Sequence, residues 1–232
     1  PTLSLHEAIP ILKLLQKVKK EGITTSLDMA YPDPDSSAGR ADWRIILKKS
    51  LPLVDIFLPS LDEIAFMLNH EWHTNENNLI TEELLRDISG QLLDYGAGIV
   101  ILKLGEQGLY LRTSPENSVI NNISLFSQDQ AEQWTDREIL SPCFRAEVAG
   151  TTGAGDCTIA GFLAGLIHGQ SPEAATKSAV GVGAFNVEKP DSVSGIPDWQ
   201  TLQNRIGAGW QILENPVELK NLSWNDKWQL MK

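Results

Sequence analysis

The sequence has 232 residues, enough for one large α/β domain or two small ones with a substantial hydrophobic core. Its 30 acidic and 19 basic residues give a formal net charge of −11, which argues against nucleic acid or an anionic membrane as a partner. The two cysteines provide neither a disulfide framework nor a metal-ligand pattern. Because the sequence shows neither a signal peptide nor an apolar run of ~18 residues, we expect a cytoplasmic protein.

The first predicted elements are a helix and a short strand. Apolar residues recur at helical spacing over residues 5–18, which predicts a helix that ends near Gly22. Residues 23–27 follow as a strand, with Asp28 at its C-terminal end. Ligands of open α/β sheets bind at the carboxyl ends of the strands, so Asp28 is a candidate substrate-binding residue. Alternatively, Asp28 is a turn residue ahead of the proline-rich segment 31–35.

A capping pair marks the start of a later helix. Ser60 and Glu63 are spaced as the two partners of a capping box, with the acidic residue three positions after the N-cap. In the same part of the chain, the pattern of apolar residues predicts helices over residues 42–51, 63–68 and 81–95. It also predicts a buried strand over residues 54–58.

A β-hairpin is predicted in the middle of the chain. Residues 99–104 form an apolar run interrupted only by Lys103, residues 105–108 contain two glycines, and residues 109–112 return as a second strand. The following region, 113–142, is rich in polar residues and predicts loops with one strand at 123–126. We assign it no chemistry.

Three glycines separate a short β-like run from a long apolar helix. Residues 143–148 lead into Gly150, Gly153 and Gly155, and Asp156 begins the helix. Glycines allow the backbone to approach a ligand, and the first N–H groups of a helix have no partner inside it. A strand, a glycine turn and a helix in this order predict an anion-binding site.

The residues after the glycines exclude two common phosphate-binding motifs. A P-loop needs Lys where this chain has Asp156, and the dinucleotide fingerprint needs a third glycine where Thr158 stands. A carboxylate beside an anion hole suits removal of a proton from a hydroxyl during phosphoryl transfer. The alternative is that Asp156 only interacts favourably with the helix dipole.

The rest of the chain predicts two packed helices and a tail. Gly161 and Gly165 lie on one face of the helix after Asp156, so we expect this helix to lie close against the sheet. Ser171 and Pro172 begin the next helix, which ends near Val187. From residue 198 onward we expect a helix and extended segments.

Residues 150–156, GTTGAGD, resemble the signature D-T-x-G-A-G-D of the PfkB (ribokinase-like) carbohydrate kinases at six of its seven positions. The resemblance implies that Asp156 is the catalytic base and that Gly153, Ala154 and Gly155, together with the Asp156 N–H, form the anion hole. Gly150 replaces the leading Asp, which in the family often helps to bind a monovalent cation, so a potassium site is doubtful.

Two further segments are similar to motifs of this family. Residues 59–63 resemble P-N-x-x-E, with Ser60 in place of Asn. This resemblance implies that Glu63 binds magnesium through water. The magnesium role is compatible with the capping role of Glu63. Residues 102–111 resemble the T-x-G-x-x-G element that lies along the nucleotide. The resemblance implies these nucleotide-binding residues: Lys103 (in place of Thr), Gly105, Gly108, Thr152 in the signature, and Ala184, Asn186 and Val187 at the adenine pocket.

The family resemblance implies a fold and a reaction. The expected fold is a three-layer α/β/α sandwich around a mainly parallel sheet, formed by residues 1–232 as a single ribokinase-like core that lacks the family's N-terminal sugar-binding part and lid. The expected reaction is ATP- and Mg²⁺-dependent phosphorylation of a small sugar or sugar-acid hydroxyl. A homodimer through the missing lid is possible, and neither nucleic acid nor membrane is expected as a partner.

Two alternatives to this reaction remain. The chain could be a non-catalytic nucleotide- or sugar-binding module of the same fold, which fits the substitutions at Gly150, Ser60 and Lys103. It could instead be a nucleoside or pyrimidine-alcohol kinase. Residues 28–43 also resemble the D-x-N-x-R…W pattern of 2-keto-3-deoxygluconate kinases, because they keep Asp28 and Trp43 although they lack the Asn and Arg.

Overall fold

A computed structural model describes residues 5–68, 80–214, 217, 219, 220, 222–226, 230 and 231. The chain divides into two compact units. The first unit comprises Pro1–Leu102 and Arg112–Asp136, and the second comprises Lys103–Leu111 and Arg137–Lys232.

The first unit contains a parallel arrangement of three strands. Strand β1 (Ser26–Leu27) pairs with β2 (Ile56–Phe57), and β2 pairs with β3 (Ile99–Lys103), with Ser26 opposite Ile56 and Ile56 opposite Ile99. Residues 99–102 of β3 are buried, as expected for a strand covered on both faces. The helices of this unit are α1 (Leu5–Lys20), α2 (Trp43–Ser50), α3 (Leu61–Met67), α4 (Glu82–Asp94), α5 (Asn117–Asn121) and α6 (Gln128–Trp134).

Side-chain caps explain where two of these helices begin. Asp42 accepts a hydrogen bond from Ile45 N at the start of α2, and Thr81 accepts one from Leu84 N at the start of α4. The helices predicted over 42–51 and 81–95 are therefore confirmed, and each is one residue shorter at both ends. The strands predicted over 23–27 and 54–58 are present but shorter.

The second unit contains the antiparallel strands and the glycine-rich helices. Strand β4 (Leu109–Thr113) begins in this unit and neighbours β5 (Glu138–Ser141), and β7 (Leu230–Met231) is antiparallel to both β5 and β6 (Trp224–Asn225). The helices are α7 (Ala154–Ile167), α8 (Pro172–Val187) and α9 (Trp199–Gly207). Among the described residues, no helix has both the length and the apolar character needed to cross a membrane.

The close partner of α7 is a helix, not the sheet. A Cβ at Gly161 would lie 2.7 Å from Ser178 O, and one at Gly165 would lie 3.0 Å from Ala175 Cα. Both neighbours belong to α8, which is buried along nearly its whole length. The prediction that Gly161 and Gly165 face the sheet is therefore wrong, although the close approach that they allow is real.

One predicted strand is wrong, and another is reduced to a single β-bridge. Residues 123–126 form a turn between α5 and α6, because Ser127 and Gln130 make a reciprocal capping box that begins α6. In the segment 143–148, only Phe144 makes a β-bridge, to Ile212. The extended segment before the glycine turn instead includes β5, whose Ile139 and Leu140 are buried, whereas Val148 is 67% exposed.

Candidate functional site

The glycine turn forms the N-terminus of α7. Gly153 is the N-cap with φ of 78°, a left-handed conformation that side chains disfavour. Ala154 N donates to Thr151 O at 3.2 Å, and Cys157 N donates to Gly153 O at 2.9 Å. The N–H groups of Gly155 and Asp156 lie between Ala154 and Cys157, in the first helical turn. At this position an N–H group has no acceptor four residues earlier within the helix. This turn can donate to an anion.

Asp156 and its neighbour Cys157 have opposite environments. The Asp156 side chain is exposed to solvent in the same turn as the amide groups, so it can reach a bound hydroxyl. Cys157 is 3% exposed, and its Sγ donates to Ser192 O at 3.5 Å. Burial, followed by the nearby charge of Asp156, raises the pKa of the Cys157 thiol. Cys157 is therefore a packed thiol rather than a nucleophile.

Lys103 lies beside the turn. Its Nζ is 3.8 Å from the position that a Cβ at Gly155 would occupy, and the Gly155 residue itself is exposed. The structure thus brings together Lys103, which the sequence assigned to the nucleotide, and Gly155, which it assigned to the anion hole. An ammonium group next to helix N–H groups creates local positive potential in an acidic protein.

The hairpin between β3 and β4 is fixed by its glycines. Leu104 N donates to Gly108 O at 2.9 Å, and Gly105 and Gly108 have φ of 60° and 101°. A Cβ at Gly108 would overlap Ser141 O, whereas the corresponding space at Gly105 is open. Cys143 Sγ also donates to Gly105 O at 3.4 Å. The hairpin tip is therefore anchored to the segment that precedes the glycine turn.

Residues 189–195, which we call the bracing segment, pack against the glycine turn. A Cβ at Gly153 would lie 2.7 Å from Ser192 Cβ and 2.8 Å from Ser192 O. A Cβ at Gly150 would lie 3.0 Å from Pro190 Cα and 3.2 Å from Lys189 O. The space of the family's leading Asp is thus filled by backbone. These residues do not fit a monovalent-cation site built on that carboxylate.

The residues assigned to the adenine pocket lie near the end of α8. Ala184 is 6% exposed, Asn186 is fully buried and Val187 is half-buried. Asn186 Nδ2 donates to Asp191 O at 3.4 Å, and its Oδ1 has no hydrogen-bond partner within the described part of the chain. Asn186 therefore connects α8 to the bracing segment, and its contact with adenine stays a prediction. Thr152 is exposed in the turn.

The two remaining site candidates belong to the first unit. Asp28 is half-buried and follows β1 directly, at the carboxyl end of that strand. Glu63 Oε2 accepts from Ser60 N at 2.7 Å, while Ser60 Oγ accepts from Glu63 N at 3.2 Å. The capping box is confirmed, and the magnesium role is still a prediction. Within the part of the chain that the structure describes, no cluster of three His, Cys, Asp or Glu residues could hold a metal ion.

Sequence reasoning missed the bracing segment. Asp191 accepts hydrogen bonds from Ser194 Oγ and from the N–H groups of Ser194 and Val193, which lowers the pKa of Asp191 to about 2. An Asp followed by Ser three residues later is a local turn signal, so the turn could have been found. Its contact with Gly150 and Gly153 could not, because some 40 residues separate the partners.

Comparison with known proteins gives a family and a fold. A family model described as pfkB family carbohydrate kinase matches residues 4–199. The chain is 26% identical over 191 residues to an ATP-dependent 6-phosphofructokinase of Thermoanaerobacterium thermosaccharolyticum, covering 82% of this chain and 49% of that protein. It is 28% identical over 134 residues to a 2-dehydro-3-deoxygluconokinase of Bacillus subtilis, covering 57% of this chain and 35% of that protein. The chain thus spans about half the length, or less, of these two relatives.

A solved structure gives the fold. A putative ribokinase II from E. coli in complex with ATP and Mg²⁺ superposes with a TM-score of 0.59 at 21% identity, covering 89% of this chain and 56% of that chain. At this identity the likeness concerns the fold alone. It confirms the predicted α/β ribokinase-like fold.

Proposed function

The chain belongs to the PfkB family of carbohydrate kinases, and from that premise we propose that the complete protein phosphorylates a sugar or sugar-acid hydroxyl with ATP. The observation that carries this proposal is the first turn of α7. There, an exposed carboxylate, Asp156, lies in the same turn as the Gly155 and Asp156 N–H groups, with Lys103 Nζ close to Gly155.

Each group in this turn has a distinct part in the proposed transfer. Asp156 accepts the proton of the sugar hydroxyl as its oxygen forms a bond to the γ-phosphorus, and the bond from that phosphorus to ADP breaks. The N–H groups of Gly155 and Asp156 stabilise the negative charge on the phosphoryl oxygens. Lys103 contributes a positive charge next to them.

Magnesium bound to ATP would neutralise phosphate charge in this reaction. The E. coli neighbour was solved with ATP and Mg²⁺, which supports the same pair of cofactors here. Glu63 is the residue that the family resemblance suggests for holding magnesium through water. The proposal includes no monovalent cation beside Gly150, since the backbone of the bracing segment fills that space.

The names of two relatives favour a phosphorylated or an acidic sugar as the substrate. Their names describe kinases acting on fructose 6-phosphate and on 2-dehydro-3-deoxygluconate. The similarity of residues 28–43 to the 2-keto-3-deoxygluconate kinase pattern favours a sugar acid. We propose that Asp28, which follows β1 at its carboxyl end, hydrogen-bonds a sugar hydroxyl.

The test is the substitution Asp156→Asn in the complete protein, assayed by ADP release with ATP and a panel of fructose 6-phosphate, 2-dehydro-3-deoxygluconate and ribose. We expect kcat to fall roughly 10²- to 10⁴-fold, because that is the usual effect of removing a positioned base. Asp129 is a matched control, since it is also an exposed Asp in a first helical turn, that of α6. Asp129→Asn should leave kcat unchanged.

The same pair of variants tests the alternative roles. If Asp156 only complements the helix dipole, both substitutions lower stability by about 0.3–1 kcal/mol and neither changes kcat. A wild-type protein that binds ATP but phosphorylates none of the panel would support a binding module or a kinase for another alcohol. Nucleosides and pyrimidine alcohols, added to the same assay, separate those two.

A further inference from the structure

Arg205 of α9 makes three strong contacts in the second unit. Its Nη1 and Nη2 donate to the two carboxylate oxygens of Glu188 at 2.8 and 2.6 Å. Its guanidinium carbon lies 3.6 Å from the ring centroid of Trp210 and 4.6 Å from that of Phe185. The ion pair is bidentate, and the guanidinium also stacks on aromatic rings. Both side chains are therefore held in one orientation, which an ordinary surface ion pair does not achieve.

Trp210, in turn, is held by the rest of the unit. Its indole Nε1 donates to Arg145 O at 2.8 Å, and its ring stacks on Phe144 at 4.6 Å between centroids. The stack therefore gives Arg205 a rigid support. Because the guanidinium is planar and always charged, Lys could not reproduce both the stacking and the two hydrogen bonds.

Glu188 occupies the end of α8, immediately before the bracing segment. It is the C-cap residue of the helix, where a negative charge is unfavourable for the helix dipole unless a cation neutralises it. Arg205 supplies that cation. The following residue, Lys189, donates its N–H to Asn186 O at 3.0 Å, so the direction in which the chain leaves α8 depends on this helix end.

The bracing segment then contacts the glycine turn. Pro190 packs on Gly150 and Ser192 packs on Gly153, at the distances given above. The contacts therefore run from Arg205 through Glu188 and the bracing segment to the residue that sets the conformation of the anion-binding amides. Arg205, Glu188 and the bracing segment are not among the groups proposed to act in the phosphoryl transfer.

We propose that Arg205 is a positioning residue, which holds the glycine turn in the conformation that binds the phosphates of ATP. The expected effect of Arg205 on kinase kinetics rests on the proposed function. Its effect on the turn is independent of that function and can be measured without catalysis.

The test compares Arg205→Gln with Arg137→Gln in the complete protein. Arg137 makes the ion pair with Glu173 at the opposite end of α8, and its side chain is similarly exposed, at 30% against 34% for Arg205. Arg137→Gln thus removes an ion pair of α8 without disturbing the bracing segment. Both variants should lower the melting temperature.

The two variants should differ in the glycine turn. Arg205→Gln should accelerate hydrogen exchange of the amides in residues 150–157 and lower kcat/KM for ATP roughly 10- to 100-fold, with KM for the sugar unchanged. Arg205→Lys should restore only part of this loss. Glu188→Gln should resemble Arg205→Gln, and the double variant should lose no more than either single one.

Each outcome bears on a separate claim. Unchanged exchange in residues 150–157 of Arg205→Gln, or equal changes in both variants, would overturn the positioning role whatever the enzyme does. Accelerated exchange confined to Arg205→Gln supports the role. A wild-type protein that binds no ATP and transfers no phosphoryl group would instead overturn the kinase proposal.

Discussion

Lys177, in the middle of α8, is a buried ammonium group that the sequence did not single out. It is 5% exposed, its Nζ lies 4.5 Å from the ring centroid of Phe144, and this Nζ has no hydrogen-bond partner among the described residues. Burial lowers the pKa of Lys177 from 10.5 to about 8. The charged form is therefore less stable in the folded protein than in the unfolded chain.

The expected consequence is a pH-dependent gain in stability for Lys177→Met. Below pH 8 the folded protein must bury the charge, which costs at most about 3 kcal/mol, partly offset by the aromatic contact. Between pH 8 and 10.5 the folded protein loses the proton before the unfolded chain does, so wild-type stability from this group rises with pH. The advantage of Lys177→Met should therefore be largest near pH 7 and disappear by about pH 10.5.

Urea unfolding of both proteins across this pH range measures the difference in unfolding free energy. Burial raises the pKa of Cys143 to about 11, and because Cys143 and Lys177 interact electrostatically, both proteins are compared in a Cys143→Ser background. A difference that stays constant with pH would show that Lys177 has the same pKa in the folded protein as in the unfolded chain, and would contradict the effect of burial. A less stable variant at pH 7 would show that the contact with Phe144 outweighs the cost of burial.

The seam between α7 and α8 depends on glycine. Gly161→Ala should destabilise the protein by about 1–3 kcal/mol, because the new Cβ would lie 2.7 Å from Ser178 O and 2.8 Å from Val182 Cγ2. The matched control is Gly207→Ala in α9, where nothing lies within 4 Å of the new Cβ. That change should raise stability by up to about 1 kcal/mol through helix propensity.

Thermal unfolding of the two variants gives the comparison. Equal shifts would mean that backbone entropy, rather than the close contact between the helices, determines the effect at Gly161. Activity of both proteins should be close to wild type, since neither glycine contacts the glycine turn.

These elements also show what the sequence could and could not predict. Capping residues such as Ser60, Asp42 and Thr81 determine helix starts locally, so the helices were predicted well. The spacing of Gly161 and Gly165 predicted that another element packs closely on this face of α7. It could not predict whether that element is a sheet or a helix, because either can pack against a glycine face. Residues 123–126 are mostly apolar and have strand character, and only the capping box that begins at Ser127 favours the helix that follows them.

The candidate site shows the same limit. The conformation of Gly153 and the exposure of Asp156 follow from a local pattern of strand, glycine turn and helix, which sequence can predict. Ser192, which packs on Gly153, and Arg205, which we propose acts on the turn through Glu188, are distant in sequence and have no motif of their own. Only the folded structure shows these contacts.

At the scale of the whole molecule, the predicted residues divide between the two units. The nucleotide residues, from Lys103 to Val187, belong to the second unit, whereas Asp28 and Glu63 belong to the first. The organisation of residues 1–232 as one core remains a prediction. The chain spans about half the length, or less, of the two relatives described above, so the sugar-binding residues of the complete protein need not all lie within it.

This division predicts that the two substrates protect different parts of the chain from hydrogen exchange. ATP with Mg²⁺ should slow exchange at residues 103–108, 150–157 and 189–195, because the nucleotide's phosphates use the amides of the glycine turn. A sugar acid should slow exchange near Asp28.

Lys103→Gln should lower the affinity for ATP, measured by this protection, roughly tenfold, because a charge-assisted contact is lost. The control Lys13→Gln, a change in α1 of the first unit, should leave the affinity for ATP unchanged. Protection by ATP confined to the first unit would place the nucleotide elsewhere and contradict the role of the glycine turn. Protection of the second unit without phosphoryl transfer would support the nucleotide site and leave the sugar site to the rest of the complete protein.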